Sequence, residues 1–117
     1  MESPLETKRE AYRRALDRAL DALVSQLSAL PAVRRIILFG SYAQGRRDLF
    51  TDIDLLVVMD SEQDFVSRNA AIRRLIHTEV DVDLLVYTPQ EFERQKQRGF
   101  VRCVAETGKV LYEAQRS

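Results

Sequence analysis

The stretch from Ile36 to Met59, IILFGSYAQGRRDLFTDIDLLVVM, constrains the fold more than any other part of the chain. A hydrophobic run enters Gly40-Ser41, a ten-residue polar turn follows, and Asp52-Ile53-Asp54 opens a second hydrophobic run. Side chains alternate along a strand, so Asp52 and Asp54 point to one face. Two carboxylates side by side repel, and a strand start rarely keeps them unless a cation neutralises them. The Gly-Ser turn offers a complementary half, with free backbone N–H groups and a hydroxyl where a helix begins, which suits a phosphate. A cation beside a phosphate is the equipment of nucleotidyl or phosphoryl transfer.

The 117 residues fit one domain, 1–117, with 1–31 as an N-terminal helix and 32–112 as a catalytic core. Hydrophobic residues make up 45% of the chain, enough for a core. Lys plus Arg and Asp plus Glu both number 18, so no basic excess exists to hold a nucleic-acid backbone, and no such partner is expected. The one cysteine, Cys103, cannot form an internal disulfide and is expected in the core. No apolar run approaches membrane-spanning length, and a cytoplasmic location is expected.

Ser3-Pro4-Leu5-Glu6 has the form of a capped helix start, and Pro31 forms a stop. Leu16, Leu20, Leu23, Leu27 and Leu30 recur at spacings of four and three, one apolar stripe that packs on the protein's own sheet. The same spacing also fits a dimer seam, which leaves a homo-oligomer open. Strands are expected at Val33–Phe39, Ile53–Met59 and Val80–Tyr87, with an edge strand at Lys109–Tyr112. Ser41 to Gln44 reads as a short helix, with Ser41 as its cap. Ser61 is expected to cap a helix to about His77, with Phe65, Ile72, Leu75 and Ile76 inward. Thr88-Pro89-Gln90-Glu91 repeats the capping signature, and Phe100 to Thr107 forms a last helix. Strands alternating with helices mean an α/β architecture.

Asp81 and Asp83 form a second pair of acids on one strand face, and an adjacent strand brings one of them across to Asp52 and Asp54. Three such carboxylates suit two divalent cations, with magnesium favoured by an all-oxygen donor set. His77 and Cys103 stand alone and give no zinc site.

Gly40-Ser41, ten residues, then Asp52-x-Asp54, each at a strand boundary, resembles the signature of the minimal nucleotidyltransferases in the DNA polymerase β-like superfamily. The resemblance runs from about Val33 to Tyr112. Gln44 replaces the usual Arg and Thr51 the commoner Ser, and neither change removes a metal ligand. Asp83, followed by an apolar run and Thr88-Pro89, matches the family's third acid better than Asp81. The resemblance implies a small mixed β-sheet flanked by helices. It implies Asp52, Asp54 and Asp83 as catalytic ligands of two Mg2+ ions, with Asp83 as helper base. Gly40 and Ser41 would meet the phosphates of ATP, and Arg46 and Arg47 would reach the triphosphate. The implied reaction is in-line attack on the α-phosphate with release of pyrophosphate.

Larger members of this superfamily carry a second domain for base and acceptor, and 117 residues leave no room for one. The catalytic face is therefore expected to be partly open, and something else must complete the site. Stand-alone members resemble the antitoxin halves of two-component systems that transfer AMP to a tyrosine of a HEPN-domain ribonuclease toxin. The chain lacks that toxin's Arg-x4-6-His motif, since Arg73 and Arg74 stand too close to His77. Two alternatives are a neutralising binder without catalysis and a nucleotidyltransferase acting on a small antibiotic-type alcohol.

Overall fold

The computed structural model describes residues 3–115. Nine elements follow one another: α1 (Pro4–Ser28), β1 (Val33–Phe39), α2 (Gly40–Ala43), β2 (Ile53–Met59), α3 (Phe65–Leu75), β3 (Val82–Tyr87), α4 (Pro89–Gln95), α5 (Gly99–Thr107) and β4 (Lys109–Glu113). They form a four-stranded mixed sheet, in the order β3-β2-β1-β4, with helices on both faces. β1 pairs antiparallel with β2 and β4, whereas β2 and β3 run parallel through the α3 crossover.

Alternation along the strands divides the core in two. Ile36, Leu38, Ile53, Leu55, Val57, Leu84 and Val86 share a cluster with Leu16, Leu23 and Leu27 of α1 and Ile72 of α3. Ile37, Leu56, Val58 and Tyr87 pack with Phe92 of α4 and Val101 and Val104 of α5. Burial on both faces explains why β2 reads as an unbroken apolar run. The leucine stripe lies on this chain's own sheet, as its spacing predicts.

The caps follow local chemistry. The Ser3 hydroxyl accepts from the Glu6 N–H at 3.1 Å, and Thr88 with Glu91 forms a complete capping box. Three expectations change. α3 is capped by Asp64, three residues after the expected cap Ser61. It ends at Leu75 with Leu75 exposed and Phe65 half-exposed, because the α3 face turned to the core is occupied by Ile72 and Arg68. Cys103 is exposed on α5, since Val101 and Val104 take that helix's inner face.

Arg68 is 2% exposed and was not legible as a core residue. Its guanidinium holds both carboxylate oxygens of Glu91, at 2.6 and 3.2 Å, and donates to the carbonyls of Val86 and Gln63. Asn69 closes the outer edge of β3 beside it, donating to the Val86 carbonyl and accepting from the Val86 N–H. Arg68 holds the carboxyl of Glu91 below its ordinary range through this bond, against the opposing effect of burial. Glu91→Ala leaves a buried guanidinium unpaired and removes half of the capping box. A loss of about 3–5 kcal/mol is expected in urea unfolding, larger than for Glu93→Ala on the exposed side of α4.

Candidate active site

Asp54 is the second residue of β2, with Asp52 just ahead of the strand, and Asp83 is the second residue of β3. Parallel pairing aligns Asp54 with Asp83, and antiparallel pairing sets Phe39 beside Asp54 on the other side. By strand alternation the acids take the sheet face shared with Leu56 and Tyr87, which α4 and α5 cover farther along.

Asp54 has its pKa pushed up to about 6, first by burial, then by the hydrogen bond and charge of Asp83, then by the charge of Asp52. Burial and the facing Asp83 carboxylate thus both work against ionisation of Asp54. Asp52 acts on this pair through its charge. Among the described residues, no three His, Cys, Asp or Glu side chains gather into a closed metal cluster. The pair Asp54–Asp83 is assembled, with Asp52 beside it; Asp81 is exposed, and its carbonyl accepts from the Ile53 N–H at 3.2 Å.

The Gly40 turn is fitted to Asp54. Gly40 has φ +79°, and a Cβ there would stand 2.0 Å from Asp54 Oδ2. Only a residue without a side chain permits both this backbone conformation and this approach. Ser41 follows at the second position of α2, and its hydroxyl makes no cap bond; the cap position belongs to Phe39. The expected Ser41 cap is thus replaced by a turn closed through its own backbone, with the Ser41 carbonyl accepting from Gln44 and Arg46.

Arg46 is exposed and donates from Nε to Asp48 at 2.6 Å. Arg47 turns away from the acids, with its guanidinium 3.5 Å from the ring centroid of Tyr42. Sequence reasoning missed Tyr12 of α1, whose hydroxyl donates to the Thr51 carbonyl at 2.8 Å. Burial raises the pKa of Tyr12, with added contributions from Asp52, Asp81 and Asp48. Its only signal in the sequence was a polar aromatic at the edge of the leucine stripe.

Residues 22–117 match the profile of the family described as Polymerase beta, Nucleotidyltransferase. The chain belongs to this nucleotidyltransferase family. A Methanocaldococcus jannaschii protein named "Putative protein adenylyltransferase" is 36% identical over 80 residues, which span 68% of this chain and 79% of that one. The crystal structure of a Sulfolobus solfataricus protein described as a "putative nucleotidyltransferase" superposes with a TM-score of 0.59 at 22% identity, over 96% of this chain and 90% of that one, and shares the fold. A chain of the MntA–HpeT toxin–antitoxin matches with TM-score 0.50 and 28% identity, over 82% of this chain and 73% of its own. A chain of a toxin–antitoxin with AMP-PNP matches with TM-score 0.50 and 26% identity, over 81% and 73%. This nucleotidyltransferase has no described helix long and apolar enough to cross a membrane.

Two substitutions probe the geometry. Gly40→Ala sets a methyl against Asp54 in a left-handed backbone, so a stability loss of about 1–3 kcal/mol is expected. The methyl should also displace the Asp54 carboxyl, and nucleotidyl transfer should fall at least about a hundredfold. Asp54→Asn should instead stabilise the metal-free protein at pH 7.5. An Asp whose pKa rises from 3.8 to about 6 on folding destabilises the fold where it is ionised. That penalty grows between those two values and is constant above them. A gain of about 1 kcal/mol is expected once solvent screening of this partly exposed group is included. Thermal melts from pH 4 to 8 should show the gain shrinking as pH falls below about 6.

Proposed function

We propose that this nucleotidyltransferase moves AMP from ATP to a tyrosine hydroxyl of a HEPN-domain ribonuclease toxin, acting as its antitoxin. The observation that carries the site is the Asp54–Asp83 pair set against Gly40. Hard oxygen donors of like charge set side by side are suited to a divalent cation such as Mg2+. Asp52, Asp54 and Asp83 would hold two such ions, which when bound neutralise the triphosphate and favour ionisation of the acceptor hydroxyl. In this scheme the Gly40 backbone and Ser41 hold the phosphates, with Arg46 reaching toward the triphosphate from the loop. The role of Arg47 is weaker as a direct ligand, since its guanidinium is committed to Tyr42. The acceptor oxygen attacks the α-phosphorus, its proton passes to Asp83, and the bond to the β-phosphate breaks to release pyrophosphate.

The protein acceptor is supported by the name of the 36%-identical relative and by the likeness to toxin–antitoxin chains. Cavity placement favours the same reading. Cavities of about 490 and 400 Å3 lie away from the three acids, one lined by Arg34, Asp60 and Phe92 at the far end of β2, the other by Arg18 and His77. An enclosed pocket for a small alcohol is not built around the acids by either.

The test is intact mass spectrometry of the co-purified partner after incubation with ATP and magnesium. Wild type should add one or more AMP-sized increments to the partner, and Asp52→Asn/Asp54→Asn should add none. Equal partner binding by both forms, without any mass gain, would establish a neutralising binder instead.

A further inference from the structure

We propose that helix α1 splints the nucleotide site from behind, with Tyr12 and Asp17 as positioning residues. The inference rests on the nucleotidyl-transfer scheme above. Residues 40–52 carry the phosphate turn at one end and Asp52 at the other, yet contain only the four-residue α2. Pairing of Phe39 with Asp54 fixes the ends of this segment, but the residues between them have no strand partner to hold their path. α1 packs on the sheet face opposite to the acids, and one stretch of it holds both ends.

At the acid end, the Tyr12 hydroxyl donates to the carbonyl of Thr51, the residue before Asp52. At the phosphate end, Asp17 accepts a hydrogen bond from the Tyr42 hydroxyl and pairs with Arg47 at 3.7 Å. Arg47 covers the Tyr42 ring and donates to the carbonyls of Tyr42 and Arg46, both at 2.8 Å. Asp48 braces the middle, accepting from Arg46, the Phe50 N–H and the Thr51 hydroxyl. Tyr12 and Asp17 are five residues apart, about 7.5 Å along a rigid helix. The attachment points at Thr51 and at Tyr42 with Arg47 inherit that fixed spacing.

Anchoring α1 does not require these polar groups. Leu16, Leu23 and Leu27 are each 0% exposed and already dock the helix. Polar contacts reaching from the same helix to both ends of one loop are better explained by what the loop must hold.

Affinity for AMP-PNP in magnesium buffer, measured by calorimetry well below each protein's Tm, tests this on the full chain. Tyr12→Phe and Asp17→Ala should each weaken binding by about tenfold, the loss of one strong hydrogen bond. Asp17→Asn keeps an acceptor for Tyr42 and should recover most of the affinity. Variants with lowered Tm but wild-type affinity would overturn the proposal and leave Tyr12 and Asp17 as fold contacts. Equal affinity of Asp17→Asn and Asp17→Ala would remove Asp17 from the splint. A wild type that binds no AMP-PNP would overturn the nucleotide reading itself, a result distinct from either.

Discussion

Parallel pairing of β2 with β3 presses Asp54 against Asp83, and the rest of the structure is arranged around that repulsion. The strands cannot slip to relieve it. A shift of one residue would turn Leu55, Val57, Leu84 and Val86 from the α1 face to the other. Burying an aliphatic side chain contributes about 1.5–3 kcal/mol, and Ile53, Leu55, Leu56 and Val57 are all 0% exposed. Their sum far exceeds the cost of one strained carboxyl pair. The apolar register therefore dictates where the acids stand, and the cost falls on the ionisation of Asp54.

The two faces of the sheet have separate tasks. The α4 and α5 side shares its face with the acids and finishes in the edge-on contact of Phe39 with Phe100, 5.3 Å between centroids. The α1 side supplies most of the hydrophobic core together with the polar contacts to the loop before β2. Buried Arg68 does comparable work at the far end of the sheet, tying α3 to the start of α4. Both tasks use long side chains to satisfy backbone carbonyls that regular pairing leaves free.

Much of this was legible in the sequence because it rests on local rules. β1 and β2 carry the bounds that their apolar runs predict, and Thr88 with Glu91 closes the expected capping box. The alignment of Asp83 beside Asp54 comes from a parallel β2–β3 pair, and an adjacent strand carrying one acid across was expected from the two Asp-x-Asp patterns. Contacts between distant segments were not legible. Tyr12 reaches Thr51 across 39 positions, and Arg68 reaches Glu91 across 23. Neither leaves a periodic trace. Arg47 was expected to face the triphosphate because of its place in the loop, and only the tertiary fold brings Tyr42 and Asp17 within its reach.

β3 is an edge strand, and α3 latches its outer side at Leu84 and Val86 through Arg73 and Asn69. Asp83 lies ahead of those latches and is exposed. The acid pair consequently opens at the rim of the sheet and not at the bottom of a cleft. A hydroxyl mounted on a large body can meet it edge-on, without threading a tunnel. Bulk water has the same access to this rim.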